Sequence, residues 1–114
     1  MAAKKNPLKL NALQLKTLAI LQQMARSPNH AQPGDEEGSV MVSNFPPPHG
    51  NHYHIGDAVV AGRDATGLSN PNVFAVLERK GLLRSMRPMG AMLTAEALAY
   101  ETGLADQVLH RSDH

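Results

Sequence analysis

The alternation of apolar and polar positions predicts one long amphipathic helix near the start of the chain. In LNALQLKTLAILQQMARSP, mostly apolar side chains recur at three- and four-residue spacing from Leu10 to Ala25. Asn11 and Gln14 have the spacing of a capping box at the start of this run, and Pro28 ends it. We therefore expect an amphipathic helix that packs on the core along its apolar side.

The pattern changes over residues 28–50, a loop rich in proline and glycine that excludes a helix. Within this segment, SVMVSNF has the β-branched content of a strand. HYHIG follows the prolines and is predicted to return beside SVMVSNF as the second strand of a β-hairpin.

The segment GDAVVAGRDATG predicts a short helix. Asp57 is a candidate N-cap for a helix over about residues 58–65, which would bury some of the apolar side chains of AVVA. Gly67 is then expected to adopt the positive φ that ends this helix.

A second helix is predicted directly after it. Asn70 followed by Pro71 is typical of a helix start, VFAVL supplies the apolar side, and Gly81 ends the helix. Two helices joined by a short glycine-containing turn form a helix-turn-helix, here over about residues 57–81.

The remaining pattern predicts a β-hairpin and a further helix. LLRSM and AML are expected to be strands joined by a turn at RPMG, which gives a wing over about residues 82–93. Thr94 is a candidate N-cap for a helix that runs to about Glu101, with Gly103 as its stop. Residues 104–114 are expected to add a short helical turn that frays.

These elements predict a single small α+β domain over residues 1–114. Its fold class is a winged helix-turn-helix domain with an additional β-hairpin on the N-terminal side, preceded by a flexible basic arm over residues 1–9.

The GLS turn, the helix end LERKGLL and the segment LTAEALAY resemble the core of winged helix-turn-helix regulators of the MarR type, over about residues 57–101. The resemblance implies a DNA-binding, transcriptional regulator. The span from Gly67 to Gly81 is about one helical turn shorter than that family implies. The order of elements is also similar, more weakly, to the small YjhX-type toxin family, from which no functional residue is carried over.

In a DNA-binding winged helix, the second helix lies in the major groove and the wing follows an adjacent backbone. Asn72 suits pairing with adenine, and Arg79 suits guanine or a phosphate. Basic residues at the helix end and in the wing predict a compact positive patch, while Lys4, Lys5, Lys9 and Lys16 form a second basic group. The candidate nucleic-acid-binding residues are Ser69, Asn70, Asn72, Arg79, Lys80, Arg84, Arg87, Lys4 and Lys5.

The segment HGNHYH contains three histidines, His49, His52 and His54. In an extended chain His52 and His54 point to the same side, so the three are candidate ligands for zinc or another divalent transition metal. A hydrogen-bonded surface cluster or a pH-responsive cluster is the alternative interpretation of the same residues.

Composition limits the other functions. The net charge of +1 gives no overall attraction to nucleic acid, and the absence of cysteine excludes a thiolate metal site. The chain has no P-loop, GxGxxG or GxSxG motif and no apolar run of about 18 residues, so neither an enzyme nor a membrane span is expected.

We therefore expect a cytoplasmic protein that binds double-stranded DNA as a homodimer, because one copy of this size reads few base pairs. The short second helix and the low net charge favour an alternative, a winged-helix protein-interaction module or toxin-like small protein without DNA readout. A metal-responsive regulator that uses the histidine segment is a further alternative.

Overall fold

The computed structural model describes residues 6–45, 50–86 and 89–111 of the chain. These residues form a small α+β domain with two antiparallel sheets. The helices are α1 (Ala12–Ala25), α2 (Pro71–Arg79), α3 (Ala95–Ala99) and α4 (Ala105–Val108). The strands are β1 (Ala31–Pro33), β2 (Val40–Ser43), β3 (His52–Ile55), β4 (Ala58–Ala61), β5 (Leu83–Ser85), β6 (Gly90–Leu93) and β7 (His110–Arg111). Two short 3-10 helices, Gly62–Asp64 and Thr66–Ser69, connect β4 to α2.

Helix α1 begins at the predicted capping box. The Asn11 side chain accepts a hydrogen bond from the Gln14 backbone N–H at 2.8 Å, and the Gln14 side chain accepts one from the Asn11 N–H at 2.9 Å. The helix is buried more widely than a single stripe, since Ile20 and Gln22 lie inside along with Leu18. Contacts with β2 and with all three other helices explain this burial. The prediction of a long core helix is confirmed.

The predicted hairpin between SVMVSNF and HYHIG is wrong, because the two segments lie in different sheets. The first sheet has the strand order β1-β2-β6-β5, and the second has the order β3-β4-β7. A two-residue turn joins β3 directly to β4, and Gly56 takes a φ of 61° in that turn, which glycine adopts without strain. Strand β2 pairs with β1 on one side and with β6 on the other.

The predicted helix over residues 58–65 is also wrong. Ala58–Ala61 forms β4, in which Ala58 and Val60 are buried and the alternate residues are partly exposed. This period of two and the two β-branched valines favour a strand that pairs with β3. The two 3-10 helices follow it, and Gly67 lies inside the second one without a positive φ. Residues 57–81 therefore do not form two α-helices.

The second predicted helix and the hairpin after it are confirmed. Asn70 is the N-cap of α2, Pro71 is its first residue, and Gly81 follows its end with a φ of 81°. Strands β5 and β6 pair in antiparallel fashion, with Leu83 opposite Leu93.

Helix α3 starts at its predicted cap and ends earlier than expected. The Thr94 hydroxyl accepts a hydrogen bond from the Ala97 N–H at 3.2 Å. The buried Gln22 side chain donates to the carbonyl oxygens of Ala97 and Tyr100, both at 2.8 Å. The chain turns extended at Tyr100 (φ −68°, ψ 129°), so α3 stops at Ala99 and not near Glu101, and the Gln22 bonds satisfy carbonyl oxygens at this end.

The C-terminal segment contributes to the second sheet. The predicted short helical turn is α4, where Val108 is 1% exposed. Strand β7 then pairs with β4 and places His110 opposite Val59. Buried apolar side chains from both sheets and all four helices form one core. Within the described ranges, no helix has both the length and the apolarity needed to cross a bilayer.

Candidate nucleic-acid interface

Helix α2 places the predicted contact residues in two groups, one at each of its ends. It buries Val73, Phe74 and Leu77 against the core and turns its other side outward. The exposed residues of the helix are Pro71, Asn72, Ala75, Glu78 and Arg79. Ser69 and Asn70 lie at its start, and Lys80 lies at its end. Because α2 has nine residues, the two groups are separated by about 13 Å.

Two of the side chains at the start of α2 already form hydrogen bonds with nearby backbone groups. The Asn70 side chain accepts a hydrogen bond from the Asn72 N–H at 3.0 Å and so satisfies a backbone donor of the first turn. The Ser69 hydroxyl donates to the Thr66 carbonyl oxygen at 3.3 Å. Asn72, by contrast, is exposed on the outer side of the helix.

The basic residues form a less positive surface than the sequence predicts. Arg84 on β5 forms an ion pair with Asp35, with 2.6 Å between its Nη2 and the carboxylate oxygen. Both side chains are about half exposed, at 48% and 57%. Lys80 donates through Nζ to the Leu8 carbonyl oxygen at 2.9 Å, and Arg79 is exposed. Lys4, Lys5 and Arg87 lie outside the described residues.

Asp35 is the ion-pair partner of Arg84 that sequence reasoning missed. The run Asp35–Glu37 is the only acidic run of three in the chain, and its sign is opposite to that of the predicted patch. The loop between β1 and β2 carries this run to Arg84, which is 49 positions away in sequence. The acidic run was the available signal in the sequence, but the sequence pattern does not show that this run lies beside Arg84 in the fold.

Lys16 does not belong to the basic arm. Its Nζ lies 3.0 Å from Oδ1 of Asp64, and the two side chains are 33% and 13% exposed. This ion pair joins α1 to the first 3-10 helix. Lys16 therefore forms an ion pair within the fold, whereas its grouping with the arm lysines predicted a contact with nucleic acid.

Replacement of Lys16 by methionine is expected to lower the free energy of unfolding by about 1 kcal/mol. The change keeps the aliphatic stem and leaves the mostly buried Asp64 carboxylate without its cation, at a cost limited by partial solvent exposure. Urea unfolding followed by circular dichroism measures the change. Arg79→Met is the control, because Arg79 is exposed on α2, and it should change stability by less than about 0.5 kcal/mol. Equal losses in both variants would contradict a structural role for the Lys16–Asp64 pair.

An apolar cavity of about 440 Å³ lies between the start of α2 and the β5–β6 hairpin. Phe45, Leu68 and Phe74 form part of its wall, and Ser69 lies at its edge. Met89 also lines it and is 71% exposed, a large apolar side chain on the surface. This surface differs in chemistry from the basic end of α2.

The histidines of β3 lie side by side. His52 Nε2 is 3.1 Å from His54 Nε2, with the two rings nearly perpendicular at 77°. The prediction that they share one side of an extended chain is confirmed. His49 lies outside the described residues. Among the residues that are described, no group of three or more histidine, cysteine, aspartate or glutamate side chains is arranged to hold a metal ion.

The candidate interface thus consists of the exposed side of a short helix, which carries Asn72 and Arg79, next to a hairpin that carries Arg84. An amide and a guanidinium suit base edges and phosphates, and a lysine or arginine on the hairpin suits the phosphate backbone. Comparisons of the chain with protein-family models, with curated proteins and with solved structures found no match.

Proposed function

We propose that the chain is a winged-helix protein that binds double-stranded DNA and acts as a transcriptional regulator. The observation that supports this proposal is the position of α2. This helix has an exposed outer side and comes immediately before the β5–β6 hairpin in the chain. The order α1, β2, α2 and a hairpin that pairs back on β2 agrees with the winged-helix resemblance of the sequence. In this proposal α2 enters the major groove and the hairpin follows the adjacent backbone.

The residues divide into base-contacting and phosphate-contacting sets. Asn72 and Arg79 are the proposed base contacts, and Lys80 and Arg84 are the proposed phosphate contacts. The 3-10 helix Thr66–Ser69 takes the place of a first helix, since it contacts both α1 and α2 and fixes where α2 starts. Because α2 offers few reading residues, two copies per operator are expected, in the cytoplasm.

The Arg84–Asp35 ion pair sets the strength of this interaction. In the free protein the Arg84 guanidinium is held by a carboxylate, so a phosphate must replace that carboxylate on binding. Removing the Asp35 charge frees the guanidinium and also removes an anion that repels DNA. Asp35 and Arg84 should therefore have opposite effects on affinity.

The test is fluorescence anisotropy of a labelled mixed-sequence duplex with the full chain over a series of salt concentrations. Arg84→Ala is expected to weaken binding and to make the slope of log K against log salt shallower by about one unit, because one phosphate contact is lost. Asp35→Asn is expected to bind several-fold more tightly at low salt. Arg26→Ala is the matched control, since it removes one exposed arginine beside the β3–β4 turn and α4, and its slope should equal that of the wild type.

Weaker binding by Asp35→Asn, or equal losses in Arg84→Ala and Arg26→Ala, would contradict this interface. Absence of saturable binding at low salt would overturn the DNA proposal altogether. That result would favour the protein-interaction alternative, for which the apolar cavity beside Met89 is the relevant surface.

A further inference from the structure

The histidine pair on β3 has a position that the DNA interface does not explain. Strand β3 is an edge strand of the second sheet, whereas α2 adjoins the first sheet through β5. His52 and His54 are two residues apart and so project from the same face of the sheet. Their Nε2 atoms approach to 3.1 Å, and both side chains are at least partly exposed.

This separation matches the distance between two imidazole ligands of one metal ion. Metal-to-imidazole bonds are about 2.0–2.1 Å long, so two such bonds at an angle of 90–110° place the nitrogen atoms about 3 Å apart. Two side chains at that spacing can bind one cation without movement of the strand. Chelation by both rings also avoids the entropy cost of bringing two separate ligands together.

A neighbouring side chain favours the ring form that binds metal. His52 Nδ1 lies 3.4 Å from the Oδ1 atom of Asn51, an oxygen that accepts a hydrogen bond. With its proton on Nδ1, His52 accepts a hydrogen bond at Nε2 from the Nε2–H of His54. Metal binding replaces this hydrogen bond, and the His54 proton moves to its Nδ1 so that both Nε2 lone pairs coordinate the cation. Metal-bound histidines in proteins are commonly held by an acceptor at the other ring nitrogen in this way.

We propose that His52 and His54 form a two-imidazole site for a late first-row divalent cation, with copper(II) bound most tightly. The described residues supply no third ligand of the histidine, cysteine or carboxylate type, so water molecules complete the coordination. Such a site depends on the intrinsic affinity of imidazole, which is highest for copper(II) and lower for nickel(II) and zinc(II). Magnesium prefers oxygen ligands and should not bind.

The chain provides a matched control on the same sheet. His54 is opposite Val59 on β4, and Val59 is opposite His110 on β7. His110 therefore shares the face of the pair but lies two strands away, about 10 Å between backbones. It is an exposed histidine outside the proposed site.

The test is a titration of the full chain with copper(II) chloride, followed by calorimetry and electron paramagnetic resonance. The wild type should bind one equivalent with a spectrum typical of two nitrogen ligands. His52→Ala and His54→Ala should each weaken binding at least tenfold, whereas His110→Ala should stay within twofold of the wild type. Zinc(II) should bind more weakly than copper(II), and magnesium should give no heat.

Circular dichroism of the metal-free variants confirms that each remains folded, which is expected because both histidines are on the surface of an edge strand. Saturating copper(II) should raise the thermal midpoint of the wild type and leave that of the His52→Ala/His54→Ala double variant unchanged. Undiminished binding by either single variant, or an equal loss in His110→Ala, would overturn the proposal. Duplex binding measured with and without copper(II) is a separate experiment, so failure of the DNA proposal does not affect this one.

Discussion

Replacing Gly90 with alanine should lower the free energy of unfolding by about 3 kcal/mol, because the added methyl group has no space and the backbone φ of 156° favours glycine. Gly90 begins β6 and is opposite Ser43 on β2. A Cβ atom at this position would lie 2.0 Å from the Val42 carbonyl oxygen and 3.0 Å from the Ser43 Cα. Both are backbone atoms of the neighbouring strand, so relief of the clash requires the strands to separate. Urea unfolding followed by circular dichroism gives the loss.

Gly81→Ala separates this clash from the general cost of replacing glycine. Gly81 has a φ of 81°, and a Cβ atom there would meet no other atom within 4 Å. Its replacement should cost only the strain of that backbone conformation, about 1 kcal/mol. A loss at Gly90 no larger than the loss at Gly81 would contradict the close approach of β2 and β6.

The Gly90 contact also bears on the proposed interface. The pairing of β6 with β2 fixes the hairpin that carries Arg84 to the rest of the sheet. If Gly90→Ala remains folded, its weakened pairing of β6 with β2 should also weaken DNA binding, even though Gly90 contributes no charge. Arg84→Ala acts by loss of a charge and should leave stability nearly unchanged, so the two variants separate positioning from contact.

The starts of α1 and α2 were predictable because their signals are local, whereas the helix that similar signals predicted over residues 58–65 is not formed. Asn11 with Gln14, and Asn70 with Pro71, satisfy backbone donors within three residues of where they stand, and each marks a helix start correctly. Gly81 marks a helix end for the same reason. Such signals depend only on neighbouring residues and not on the rest of the fold.

Pairing between strands that are distant in sequence was not predictable, in contrast to the local β5–β6 hairpin. Val40 on β2 is opposite Leu93, and no local feature of SVMVSNF indicates that β6 will be its partner. The segment AVVA is short enough to suit a helix or a strand, and pairing with β3 decides for the strand. The Arg84–Asp35 ion pair was missed for the same reason. Its two residues are distant in sequence, and only the folded first sheet brings β5 close to the loop between β1 and β2. The His52–His54 pair was foreseen because a period of two is a property of any strand.

The sequence pattern assigned Gly67 to a helix end. The structure gives it a different role, because a Cβ atom at Gly67 would lie 1.8 Å from Thr17 Oγ1 and 3.1 Å from Thr17 Cβ. Thr17 is fully buried on α1, and its hydroxyl donates to the Leu13 carbonyl oxygen at 2.8 Å, so it does not yield readily. Gly67→Ala should therefore lower the free energy of unfolding by about 2 kcal/mol.

A double-mutant cycle with Thr17→Ala identifies the cause of that loss. Thr17→Ala removes the oxygen that Gly67→Ala would strike, at a cost of its own of about 1 kcal/mol from the lost hydroxyl and methyl groups. The double variant should then be more stable than the sum of the two losses predicts, by about 1 kcal/mol. Additive losses would contradict the Thr17 contact as the cause, since Gly67 has no positive φ that would require glycine. A favourable coupling would instead place the contact between α1 and the Thr66–Ser69 turn among the interactions that hold the start of α2, and with it the exposed Asn72, in position.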